Sequence, residues 1–391
     1  MKKIIPVLYC LSLLISCAKN EKNAKEIVKN ESSKSIKIDS LNLNLIEYPD
    51  LKSSSLSGFI RLNEGNINFI DQRFGWIYKF DLNGKLVSKH LGQGEGPFEL
   101  NTAFVDGVVN LNNNDWLFMG SSFDIHIHSK DDLERKLLFT LGWVGNSNYA
   151  DVRGSKTPNP EEFALYTLDY QNLTLRKDSN DNVYIPIYGE SNNFNGFQND
   201  RYYKEGRILA KLSLKTGKVE ELLGNRSKEY LEYKYVGQHA YFSYDISKKD
   251  NFYVSHEIDS LIYVYDKNFK PLYTFGNEGL NMDKNYYEVP YFNMKEIKKA
   301  IFDSKPTKGW YSHVEYIDEY DLLFRSYKKN EKDKYDGLQI YKSNKLIADI
   351  EVPKNFKVIG SHGNRFYSDA IVVNDTKLIN YYFEIPLSLL N

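Results

Sequence analysis

The chain is 391 residues long, 41% hydrophobic and 15% aromatic, and so holds ample material for a core. Its only cysteines, Cys10 and Cys17, lie near the start, which excludes a disulfide framework, a thiol nucleophile or a thiolate metal site in the rest of the chain. The formal net charge of −1, with basic and acidic residues interspersed, excludes a nucleic-acid partner, because phosphate binding needs clustered cations.

Lys2 and Lys3 precede an apolar run of about a dozen residues that ends in Leu14-Ile15-Ser16-Cys17. The run is far shorter than the ~20 residues of a spanning helix, so residues 1–16 read as a secretory signal peptide. The Leu-x-Ser-Cys sequence is similar to the lipobox of bacterial lipoproteins. That resemblance implies export, acylation of Cys17 and a membrane as partner; the alternative is an ordinary cleaved signal with a chance cysteine. Residues 18–35 are polar, rich in Lys, Asn, Glu and Ser, and too poor in apolar groups to fold. Residues 17–35 therefore read as the lipidated cysteine and a flexible tether, which would span roughly 25 Å as a coil.

From residue 36 to 391 one kind of unit repeats. Trp76-Ile77-Tyr78-Lys79-Phe80-Asp81-Leu82-Asn83-Gly84-Lys85-Leu86-Val87 is a strand, a hairpin turn and a second strand. The phrase returns as Leu261-Ile262-Tyr263-Val264-Tyr265-Asp266-Lys267-Asn268-Phe269-Lys270-Pro271-Leu272. Weaker copies begin at Asp124, Arg207 and Gly337, and strands such as 66–70, 115–119, 182–186 and 251–255 precede the copies. The last unit, which ends near Ile385, lacks a final strand that residues 36–48 could supply. About six four-stranded units with a closing strand predict an all-β fold, a six-bladed β-propeller. Three stretches break the rhythm: 142–163 and 189–204 are polar loops, while near 290–302 Met294, Ile297 and Ile301 fall on one face of a short helical insertion. Such insertions gather on one face of the ring, where binding usually occurs.

The stretch Gly92-Gln93-Gly94-Glu95-Gly96-Pro97-Phe98-Glu99-Leu100 carries a family likeness. It resembles the Gly-x-Gly-x-Gly-Pro-Gly-Glu-Phe run of TolB-like and NHL-like six-bladed propellers, with Phe98 for a glycine and Leu100 for the aromatic. Overall the chain looks like an uncharacterised family of Bacteroidota lipoproteins with that fold. The resemblance implies a propeller in the cell envelope and almost no chemistry. A phosphate loop is the competing reading, but no Lys-Ser or Lys-Thr follows and the run leads back into a strand, so a tight crossing between blades is expected.

His239, His313 and His362 fall at comparable points near the starts of first strands, which line a propeller's channel. Converging there, they would suit a divalent metal or an anionic group; otherwise each hydrogen-bonds a neighbouring blade. Arg61, Asp106 and Arg325 are expected to complete a polar channel lining. His126 and His128 alternate on what reads as an outer strand and are expected at the surface. No Gly-x-Ser-x-Gly or His-Glu-x-x-His occurs, so no catalytic residue is assigned and no cofactor beyond that divalent metal is expected. The sequence thus reads as a binding or interaction module for a glycan, peptide or envelope protein. It would be anchored to the outer membrane, on the periplasmic side in preference to the cell surface. The alternative is a metal-assisted hydrolase or lyase at the channel mouth.

Overall fold

In the repeated phrase, an aspartate closes each hairpin. Asp81 Oδ1 accepts the amides of Asn83 and Lys85 at 2.9 and 3.0 Å, and Asp266 Oδ1 does the same for Asn268 and Lys270, at 2.9 Å each. The side chain thus mimics a backbone turn, which is why the phrase recurs with Asp at the same place. A computed structural model describes residues 38–51, 54–145, 147–170 and 173–390. The predicted signal, Cys17 and the tether lie outside the described residues.

Six sheets follow one another in the chain, antiparallel but for the short strand Gly142–Trp143, which joins the third in parallel. The first blade runs Gly58–Asn63, Asn66–Asp71, Trp76–Phe80, Leu86–Leu91, each strand pairing with the next. The second begins with Val105–Asn110, the fourth with Phe242–Ile246, and the fifth with Trp310–Ile317. In the third blade the innermost strand comes in two pieces, Tyr166–Leu168 and Arg176–Lys177, both paired with Val183–Gly189. The sixth blade takes Val358–His362, Arg365–Ser368 and Lys377–Glu384 from the end of the chain. Its outer strand is Asn44–Glu47, with Asn44 opposite Tyr382 and Glu47 opposite Ile379. This closure removes the free edge that a linear array would leave open, and the six-bladed propeller expected from the repeats is what forms.

Neighbouring blades bury their faces against each other. Phe324 of the fifth blade packs on Phe366 of the sixth with ring centroids 5.2 Å apart, and Phe366 on Phe383 at 5.5 Å. Because of this stacking, third strands are covered on both sides, and only fourth strands are truly outer. His126 and His128, on the third strand Asp124–His128, are therefore fully buried instead of lying at the surface as expected. Burial pushes His126 down to about 4.

First strands all begin at one face of the ring, here the entry mouth, and the connections after second and fourth strands return to that same face. All three insertions lie in such connections: 142–163 and 283–302 ahead of first strands, and 189–204 after a second strand. The helical insertion starts at Met294–Lys298, capped by Asn293, whose side chain accepts from the amides of Lys295 and Glu296. It then widens into a π-helical turn, Lys299–Ser304. Ile297 is buried with Ala300, whereas Met294, at the exposed start of the helix, and Ile301, displaced by the widened turn, point outward, unlike the single buried face expected. Among the described residues no helix is long and apolar enough to cross a membrane.

Candidate binding site at the channel mouth

Alternate residues of the first strands face inward, as period two requires. Phe59 and Arg61, His313 and Glu315, and Ile359 thus line one cavity of about 340 Å³ at the entry mouth, together with Asp106, Asp369, Arg176 and Lys357, which stands just ahead of its blade's first strand. Of the expected channel residues, the structure brings Arg61, Asp106 and His313 together there.

The cavity floor is a buried ion cluster that joins three blades. Arg176 Nε lies 3.2 Å from Asp245 Oδ1, and its Nη2 lies 2.5 Å from Glu315 Oε2. Burial alone would raise Glu315, but Arg176 and then His313 reverse this and hold its carboxyl well below the usual carboxylate range. At Asp245 burial outweighs the same guanidinium and pushes the carboxyl up to about 7. Asp245 Oδ2 also accepts the amide of Tyr316 at 2.7 Å. His313 Nε2 donates to the carbonyl of Val358 at 2.9 Å and lies 3.6 Å from Glu315; burial lowers its pKa. A further cavity opens at the opposite mouth; Arg176 lines both cavities, and Asp245 lines the far one.

The two mouths differ in how their polar groups are satisfied. At the far mouth the turns between first and second strands are stitched together. Ser179 N donates to Asp250 at 2.8 Å, Asn112 N to Asp181 at 2.8 Å, and Lys248 N to Asp318 at 3.0 Å. At the entry mouth the carboxylates have found donors: Asp369 Oδ1 accepts the amides of Ile60 at 3.0 Å and Ala370 at 2.8 Å, and Asp106, raised by burial, accepts from Gln72. The cations have not. Arg61 makes one hydrogen bond, from Nη1 to its neighbour's carbonyl at Ile60, and lies over the Phe59 ring at 5.6 Å. Burial lowers its pKa, and Asp369 only partly opposes this. Neither Arg61 nor Lys357 ion-pairs with a carboxylate among the described residues.

His239, His362 and Arg325 do not reach this cavity. His239 sits in a single 3₁₀ turn, Gly237–His239, ahead of the fourth blade. It is fully buried there, with Nδ1 3.3 Å from Glu257 and its ring 4.6 Å from that of Tyr286. Glu257 is in turn held by Lys305 at 2.9 Å. His362 ends the first strand of the sixth blade instead of starting it, and so is exposed at the far mouth. The three histidines therefore do not converge, and among the described residues no three His, Cys, Asp or Glu side chains are grouped to hold a metal ion. Arg325, on a second strand, faces the neighbouring blade and not the channel. It donates to Ser255 Oγ at 2.8 Å, to Ser260 O at 2.7 Å and to Asp259 O, and it lies 3.2 Å above the Tyr311 ring. It clamps the fourth and fifth blades.

The glycine-rich run forms the expected inter-blade crossing. Gly94 N donates to Leu100 O at 3.1 Å, and Leu100 N returns to Gly92 O at 2.8 Å. The Glu99 carboxylate folds back and accepts the amide of Gly96 at 2.9 Å, so that amide serves an internal anion, while the Gly94 and Leu100 amides are taken by backbone carbonyls.

Comparison with known proteins places this ring among solved propellers. A member of the DUF4221 family from Bacteroides vulgatus matches with a TM-score of 0.61 at 14% identity, over 89% of this chain and 99% of that one. A "putative exported protein" from Bacteroides fragilis matches with a TM-score of 0.52 at 11% identity, over 90% and 98%. The likeness is one of fold. No family model matches the chain, and no curated protein matches it in sequence.

Proposed function

We propose that the protein is a lipid-anchored binding module of the cell envelope that takes its ligand at the entry mouth. The observation that carries this reading is the pair Arg61 and Lys357, two cations without carboxylate partners in a cavity whose floor is closed by Arg176, Asp245 and Glu315. Cations without a carboxylate partner in a polar cavity of this size are the usual makings of a ligand site. The three insertions rim the same face and enlarge the surface open to a glycan, peptide or envelope protein. The signal and lipobox-like sequence ahead of Cys17 support anchoring to the outer membrane. A single acid, Glu21, in the stretch after the cysteine favours the periplasmic leaflet. The export named for the Bacteroides fragilis neighbour is consistent with this location.

Catalysis is not part of this reading. His313 is the one histidine at the cavity, and its Nε2 is already engaged by a backbone carbonyl. Calorimetry on the purified chain, followed by mass analysis of the ligand after incubation, tests the proposal. Saturable binding that Arg61→Gln removes, with the ligand recovered intact, is the expected result. Conversion of the ligand by the wild type but not by that variant would replace the binding module with an enzyme.

A further inference from the structure

The entry cavity carries charged side chains of both signs, and they fall into two ends. The first end lies where the sixth and first blades meet. There Asp369 N donates to the carbonyl of Lys357 at 2.8 Å, and Asp369 Oδ1 accepts the amide of Ile60, the neighbour of Arg61. This end holds two cations and one acid, so positive charge is in excess, and no ion pair joins the three among the described residues.

The second end is Asp106, near the start of the second blade's first strand. Its hydrogen bond comes from the neutral amide of Gln72 and only partly opposes the rise that burial causes. No cation of the described residues offsets its charge, neither Arg61 nor Lys357 included, so the two ends stand apart in one cavity. The floor adds no free charge, because Arg176 is spent on Asp245 and Glu315, and His313 on the carbonyl of Val358.

An ion held out of water without a counter-charge is costly. A plain anion would satisfy Arg61 and Lys357 and leave Asp106 alone, and a plain amine would do the reverse. A ligand with both charges satisfies both ends.

We infer that the entry cavity binds a small zwitterion, an amino acid or a short peptide with free ends, its carboxylate on Arg61 and Lys357 and its ammonium on Asp106. Guanidinium recognises a carboxylate through two parallel N–H donors, and Arg61 uses only one of its five for the protein itself. A carboxylate such as Asp106 has acceptor sites beyond the one that Gln72 takes, which an ammonium can fill. About 340 Å³ is at the small end of ligand sites, which suits such a molecule and not a long polymer. This assignment rests on the reading that the entry mouth is the binding site, and it adds the class of ligand.

Calorimetry with the proteinogenic amino acids, dialanine and trialanine tests it, on the wild type, Arg61→Gln and Asp106→Asn. Each probe is also used N-acetylated, which keeps only the anion, and as the carboxamide, which keeps only the cation. At least one zwitterion should bind at least about tenfold more tightly than either of its singly charged forms. Asp106→Asn should erase its advantage over the N-acetyl form, and Arg61→Gln its advantage over the carboxamide. Each variant removes a charge that nothing in the protein pairs, so melting temperatures should hold or rise. A fall in both would mean that the charges are already compensated, and would overturn the assignment. Binding of N-acetyl forms alone, dependent on Arg61, would overturn the zwitterion and leave the mouth as the site. Zwitterion binding that both variants retain unchanged would overturn the mouth as well. Failure of every probe would overturn the zwitterion.

Discussion

Replacing Arg176 by methionine removes the one cation that Asp245 and Glu315 share on the cavity floor. Both carboxyls are almost fully buried, with side-chain exposures of 7% and 9%, so neither can recover the loss from water. Breaking a buried ion pair from one side costs about 3–5 kcal/mol, most of it from the stranded charge. The cost should depend on pH in a definite direction. Asp245 in the folded chain titrates near 7, well above the ordinary range of an unfolded aspartate near ~3.9. A folded acid raised in this way holds a proton that the unfolded chain has released, so its contribution to stability is lost as pH rises through that window. Without Arg176 the folded carboxyls resist ionisation still more, and the loss should be larger at pH 8 than at pH 5. Urea denaturation of wild type and Arg176→Met at both values measures it. Adding Asp245→Asn and Glu315→Gln to Arg176→Met should recover part of the stability, because no charge is then stranded. A loss below about 1 kcal/mol at pH 8, or one equal at both pH values, would refute the ion-cluster account of the floor.

Four further outcomes follow from other parts of the ring. His256 is fully buried and pushed down by burial to about 3, so the folded chain refuses a proton that the unfolded chain accepts below about 6.5. Stability is thereby lost as pH falls through that window, and His256→Phe should flatten the fall in urea midpoints between pH 7 and pH 4. Arg325→Lys keeps the charge but cannot reproduce three bonds and the stack on Tyr311, and should cost on the order of 3 kcal/mol by denaturation while leaving ligand affinity intact. Gly94→Ala would place a Cβ 2.0 Å from Glu99 Oε2, so the carboxylate must swing off the Gly96 amide, and should destabilise by about 1 kcal/mol. Gly154→Ala, at a helical position with nothing within 4 Å, should leave stability unchanged or raise it by up to about 1 kcal/mol.

The propeller was legible because its signals are local and repeated. Asp81 and Asp266 close equivalent hairpins, alternation marks the strands, and the missing last strand pointed to residues near Asn44. The site was legible where a residue sits on an unbroken first strand, as Arg61 and His313 do. Glu315 was within reach by the same alternation, two residues beyond His313. Arg176 was not, because the first strand of the third blade is interrupted after Leu168 and resumes only at Arg176 itself. His362 was placed at the wrong end of its strand, a slip that moves a side chain to the opposite mouth. Arg325 shows the other limit: position in the repeat gives the strand, but only packing shows whether a side chain meets the channel or the next blade.

The most direct test is native mass spectrometry with elemental analysis on the full chain, purified without chelator. The account predicts an organic ligand bound to the wild type, recovered unaltered after incubation and absent from Arg61→Gln. A stoichiometric divalent metal retained equally by both proteins, or a ligand that the wild type converts, would contradict it.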